Sequence, residues 1–135
     1  MRTPLAVCVL ALVLSACGAA PRDSAQDFSG TERDVAATVE GLESAAREDN
    51  SDELCTQLLS DRLRAAVKEE GINCVTAAKR AFEDADSLDL TVDDVSVSGN
   101  TATANVTSRA GSNTKTDTLE LEKVGAVWKI LTLRP

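Results

Sequence analysis

The chain has 135 residues, 14 of them basic and 22 acidic, for a formal net charge of −8, with no His, no Tyr and only Phe28, Phe82 and Trp128 as aromatics. That charge repels nucleic acid and anionic headgroups. The missing His removes the commonest acid–base group at neutral pH, and so few rings leave little for a sugar or base to stack on.

Arg2 opens the chain, Leu5 to Leu14 is an unbroken apolar run, and Ser15, Ala16, Cys17 and Gly18 follow. A positive start, a short apolar core and small residues before a cut site describe a secretory signal over 1–16. As a helix the run spans about 15 Å, against roughly 30 Å of bilayer hydrocarbon, too short to remain as a normal span. Leu14-Ser15-Ala16-Cys17 resembles the lipobox of bacterial lipoproteins. The resemblance implies cleavage between Ala16 and Cys17 and a diacylglycerol on the Cys17 thiol, palmitate being one acyl chain it would carry. It places the mature chain on the extracytoplasmic face of the cell membrane. Each buried lipid methylene contributes about 0.8 kcal/mol, so two or three acyl chains make a durable anchor. An ordinary signal peptide with a chance cysteine is the alternative. Cys8 falls in the discarded segment.

Residues 17–30 are small and polar without hydrophobic period and read as a flexible tether. Residues 31–135 then form one domain. Thr31 is expected to cap a first helix, with Asp34 in its first turn. Val35, Val39, Leu42 and Ala46 recur at helical spacing and mark its buried face, while Glu32, Arg33, Glu40, Glu43 and Arg47 take the solvated one. Residues 49–52 break it, and Asn50 with Glu53 looks like a capping box for the next helix. Leu54, Leu58, Leu59, Leu63 and Val67 continue the apolar face, with Ser60-Asp61 as a point where this helix can split. Gly71 ends it. Asn73 caps a third helix with Cys74, Ala78, Ala81 and Phe82 on its inner face.

After Ser87 the period changes to two. Leu88, Leu90 and Val92 alternate, Asp93-Asp94 shifts the phase, and Val95 and Val97 resume, which predicts a bulge or bend at the acidic pair. Gly99-Asn100 signals a tight hairpin. Ala102, Ala104 and Val106 alternate with polar residues, residues 110–113 turn, Leu119 and Leu121 follow, Val124-Gly125 turns again, and 126–133 is the last strand. Three helices followed by four strands on short connections predict an α+β domain, with the helices on one face of an antiparallel sheet.

With Cys8 cleaved away and Cys17 acylated, Cys55 and Cys74 remain. Outside the cytoplasm they suit a disulfide clipping the second helix to the third, closing a loop whose entropic contribution is about 3 kcal/mol. A reactive thiol at a helix N-terminus and a metal site are the alternatives, though there is no Cys-x-x-Cys and no His.

The Ala-rich first helix, Glu48-Asp49-Asn50, Cys55-Thr56-Gln57-Leu58-Leu59-Ser60, Asn73-Cys74 and a meander ending in Val127-Trp128-Lys129-Ile130 together resemble the NTF2-like (cystatin-like α+β) superfamily. Within it, the chain is similar in particular to small actinobacterial envelope proteins. The resemblance covers roughly 31–135 and implies a curved four-stranded sheet wrapped with helices into a cone whose mouth holds a small ligand. Enzymes of that superfamily place His, Asp or Tyr in the cone; His and Tyr are absent here, so no catalytic residue is carried over.

Asp93 and Asp94 suit either a divalent cation or a solvated bend. Trp128 either lines a pocket or anchors the core, and Arg109 either holds an anionic ligand or is a rim charge; these two are the candidate ligand or partner surface. The last strand is apolar on its second face too, through Val127, Leu131 and Leu133, so either the sheet is covered on both sides or a patch awaits a partner or a second copy. The resulting expectation is a non-catalytic envelope lipoprotein, without cofactor, metal or nucleic-acid partner, that binds a small apolar ligand or another envelope protein. An Asp/Glu enzyme of the same fold and a structural subunit are the alternatives.

Overall fold

The computed structural model describes residues 23–83 and 88–134. The expected leader, its expected cleavage site at Ala16 and Cys17, and residues 17–22 of the expected tether lie outside them. A 3-10 turn (Ser24–Asp27) leads into α1 (Gly30–Arg47). α2 (Ser51–Glu53) runs into a π turn (Leu54–Leu58), and α3 (Asp61–Glu69) and α4 (Cys74–Glu83) follow. Four strands, β1 (Asp89–Ser98), β2 (Thr101–Ala110), β3 (Asn113–Val124) and β4 (Val127–Arg134), form an antiparallel meander in the order β1-β2-β3-β4. The fold is α+β as expected, with four α-helices among the described residues in place of three. No helix among the described residues is long and apolar enough to cross a membrane.

Short polar signals set most element ends. The Asn50 carboxamide accepts the Glu53 N–H at 3.1 Å and donates to the Glu53 carboxylate at 2.7 Å. Asn73 accepts the Val75 N–H at 2.8 Å and starts α4. Thr31, expected as the first cap, instead lies inside α1, whose N-cap is Ser29. Gly71, at φ +80°, turns the chain out of α3.

The extra helix arises at Ser60. Its hydroxyl accepts the Leu63 N–H at 3.1 Å, so α3 starts afresh there. Its own N–H donates to the Ile130 carbonyl at 2.9 Å, beside a parallel bridge between Leu59 and Ile130. The break therefore lays two residues of extended chain along the open edge of β4. Lys129 reinforces it by donating to the carbonyls of Thr56 and Gln57 at the end of the π turn.

The phase shift at Asp93-Asp94 is a bulge, because the β1–β2 register skips between Val92 and Asp94. Both carboxylates are exposed, and Asp93 accepts the Thr107 hydroxyl at 2.6 Å. The irregular apolar pattern of the last strand has the same cause. The β3–β4 register slips between Glu120 and Leu121, so Ile130 pairs with Leu121 and Thr132 with Glu120 while Leu131 is the extra residue. Val127, at the hairpin, is half exposed and Leu131 half buried.

The core lies between α1 and the concave sheet face. Val35, Ala36 and Val39 are wholly buried against a layer that includes Ala104, Leu121 and Ile130. Glu43, expected on the solvated face of α1, is only 4% exposed. Part of the segment expected to be a tether is packed: Ser24 and Ala25 are buried, each through the Glu40 carboxylate, which accepts the Ser24 hydroxyl at 2.9 Å and the Ala25 N–H at 2.7 Å. Both burials have one reason. β1 is an edge strand, and its inner edge presents N–H groups that need acceptors. Ser24 Oγ takes the Val92 N–H and Glu43 takes the Leu90 N–H, each at 3.1 Å.

Candidate functional site

The concave face of the sheet is not filled by the helices along its whole length. A cavity of about 520 Å³ opens between them. Its helical wall is Leu42 and Ala46 of α1, Leu54 at the start of the π turn, Leu59 just past its end, and Ala81 and Phe82 of α4. Its sheet wall is Leu90 of β1, with Leu88 just before it, Val106 of β2, Leu119 of β3 and Ile130 of β4.

Each wall follows from a local rule. On the strands, alternate residues share a face, so the inward set of β2 (Ala102, Ala104, Val106, Ser108) and of β3 (Lys115, Asp117, Leu119, Leu121) is read straight from the period of two. The π turn does the same for the helical side. The Leu59 N–H bonds the Leu54 carbonyl at 3.0 Å, five residues back, and this wider turn brings both leucines to the same wall. Gly41 of α1 permits the close approach, since a Cβ there would meet Leu58 Cδ2 at 3.0 Å.

The Cys55–Cys74 disulfide forms, with Cα atoms 6.1 Å apart. It ties the π turn to the first turn of α4, so the two helical elements bearing Leu54, Leu59, Ala81 and Phe82 are held together covalently. A bonded pair is neither a free nucleophile nor a thiolate ligand.

Apart from Ser108, Lys115 and Asp117, the described lining residues are apolar. These three lie together at one end of the cavity. Ser108 faces Lys115 across the β2–β3 ladder and donates its hydroxyl to the Lys115 carbonyl at 3.3 Å. Lys115 and Asp117, two residues apart on one strand face, form an ion pair of 3.0 Å. Nothing in the sequence singled them out beyond their place in the alternation.

The carboxyl of Glu43 is pushed above the usual glutamate range, mainly because burial strips its water, with Asp89 and Glu40 adding like charge. The Leu90 N–H and Arg47 oppose the shift. Arg47 sits 2.5 Å from one oxygen and Leu90 N 3.1 Å from the other. Both oxygens are thus engaged at the sheet edge, and Glu43 is not among the residues of the cavity wall.

Trp128 and Arg109 are not brought together. Trp128 is buried on the concave side near the β3–β4 hairpin, with the Lys123 ammonium 5.9 Å from its ring centroid. Arg109 is exposed at the other end of the sheet, paired with Asp89 and Thr114. Its odd position in β2 puts it on the convex face. Trp128 is a core anchor and Arg109 a convex-face charge, and neither lines the cavity. Among the described residues no three metal-ligating side chains cluster, and Asp93 and Asp94 stand on the bulge without a third.

A family model described as "Putative lumazine-binding" matches residues 35–133, which include every described residue of the cavity wall. The match supports an NTF2-like domain. No curated protein and no solved structure matches the chain.

Proposed function

Since the chain belongs to the family matched over residues 35–133, we propose that it is a binding module which holds a small, mainly apolar molecule in its cone and performs no chemistry on it. We further propose that the mature protein is a lipoprotein of the cell envelope, anchored at Cys17 outside the cytoplasm, as in actinobacterial envelope proteins. The cavity carries the first part. About 520 Å³ of largely apolar space is the size and character of a small-molecule site, and it is larger than a close-packed core leaves by accident. Its described ionisable groups, Lys115 and Asp117, are each other's partner, and the Glu43 carboxyl, whose proton affinity is raised, serves the sheet edge. The family description points to a bicyclic heteroaromatic. Here such a molecule finds only Phe82 to stack on among the described wall residues, so an aliphatic body fits these walls better.

The second part rests on the leader and lipobox at 1–17 and on the Cys55–Cys74 disulfide, which suits an oxidising compartment. Mass spectrometry of the mature protein from its native membrane tests both parts. A diacylated Cys17 at the N-terminus and a co-purifying small molecule are expected. Titration of the soluble domain with the uncharged dye N-phenyl-1-naphthylamine, and separately with lumazine, tests the cavity directly. Failure of every probe to bind removes the binding module. Unchanged maturation and localisation of a Cys17→Ser variant removes the anchor.

A further inference from the structure

We infer that the ligand is an amphiphile with an uncharged, hydroxyl- or amide-bearing head, held by Ser108, Lys115 and Asp117 while its apolar body fills the cone. The inference rests on the proposed binding role and adds the chemistry of the head. Two neighbouring strands turn polar within one rung of each other, β3 at Asp117, opposite Val106, and β2 at Ser108, opposite Lys115. On the concave face β2 runs Ala102, Ala104, Val106, Ser108, and β3 runs in the opposite direction as Leu121, Leu119, Asp117, Lys115. The polar groups of the wall are thereby gathered at one end and the apolar ones at the other.

Lys115 and Asp117 lie beyond the last β4 partner of β3, at Thr118, so among the described residues only β2 pairs with this stretch. The Lys–Asp pair is not a fully solvated surface pair, since the Asp117 side chain is only 22% exposed while Lys115 is 63% exposed. An aliphatic residue at 117 would extend the apolar wall begun by Leu119 and Leu121. A carboxylate there sets a fixed acceptor inside the mouth instead.

The charge state of the head follows from the pairing. Asp117 already neutralises Lys115, so an incoming carboxylate meets a partnered cation and a nearby carboxylate, on a chain whose formal charge is −8. An incoming ammonium meets the cation in the same way. A hydroxyl or amide is indifferent to both and satisfies both, donating to Asp117 or the Ser108 oxygen and accepting from Lys115. Burying such a head without partners would cost binding, which is how the rim selects.

The test uses the mature protein and displacement of N-phenyl-1-naphthylamine by two probes of equal chain length, 1-monododecanoylglycerol and dodecanoate, at pH 7.5. The wild type is expected to bind the glycerol ester about ten-fold tighter than the carboxylate. Asp117→Asn frees Lys115, and should tighten dodecanoate about ten-fold and erase that preference. Lys115→Met should weaken dodecanoate further. Dye binding in each variant confirms that the cone is intact. If the dye binds but the wild type prefers dodecanoate, or Asp117→Asn leaves the ratio unchanged, this inference falls and the binding module stands. If the dye does not bind at all, both fall.

Discussion

The Glu43 carboxylate accepts the Leu90 N–H at 3.1 Å, linking α1 to the edge of β1 across 47 positions of sequence. With Ser24 on the Val92 N–H, it closes the side of the sheet that no fifth strand covers. The opposite edge, β4, is closed by Leu59 and Ser60. The meander is thus held at one edge by side chains and at the other by backbone, and the cavity sits between these closures.

Replacing Glu43 by Leu removes the acceptor from a buried N–H and the partner from Arg47. It should destabilise the domain by about 1–3 kcal/mol. Glu43→Gln keeps an acceptor for Leu90 and should cost less than half as much. Urea unfolding of both variants measures the difference, and equal losses would mean that the hydrogen bond is unimportant.

Stability should also depend on pH through this group. The folded state raises the proton affinity of Glu43, so it holds the proton more tightly than the unfolded chain does. The contribution of the group is fully present below the unfolded glutamate value of about 4.3, and is lost as pH rises through the higher folded value. The stability of wild type minus that of Glu43→Gln should therefore fall with rising pH across that window. A difference that is flat, or that rises, contradicts the burial of this carboxyl. Arg47, Glu40 and Asp89 are the charged groups acting on it, so the measurement belongs at constant ionic strength.

Removing the disulfide in a Cys55→Ala, Cys74→Ala variant opens a loop of 19 positions and should cost about 3 kcal/mol. The same variant frees α4 from the π turn, and with it Phe82 from Leu54 and Leu59. Binding of N-phenyl-1-naphthylamine should weaken even under conditions where the variant is fully folded by circular dichroism.

Adding bulk at Ala81 tests the cavity. Ala81 lines it from α4 and is itself exposed, so a larger side chain there occupies the mouth without overpacking the core. Ala81→Phe should reduce dye affinity at least ten-fold while changing stability by no more than about 0.5 kcal/mol. Unaltered dye binding would place the bound dye elsewhere on the protein.

Features whose cause is local were legible in the sequence. Asn50, Asn73 and Gly71 act within a few residues of themselves, and each marks a helix end as expected. The bulge at Asp93-Asp94 and the turn at Gly99-Asn100 follow from an alternation that breaks and a pair that suits a tight hairpin. The inward faces of the strands needed only their period of two.

Features whose cause is distant were not legible. Glu43 looks like any acidic residue on a charged helix face, because the N–H that buries it belongs to β1. Ser24 looks like linker, because its partner is 68 positions away. The polar cluster of Ser108, Lys115 and Asp117 becomes a group only when β2 and β3 are set in register.

By itself, then, the amino-acid order determined the class of the domain, the order of helices before four strands, and the turns between those strands. These rest on periodicity, caps and turns, which act over one or two turns of chain. Tertiary structure alone decided that the helices stop short of filling the cone, that a carboxylate is drawn inside to close a sheet edge, and that the polar groups of the wall meet at one end. Volume, edge satisfaction and the convergence of side chains exist only between elements, so no stretch of sequence can carry them.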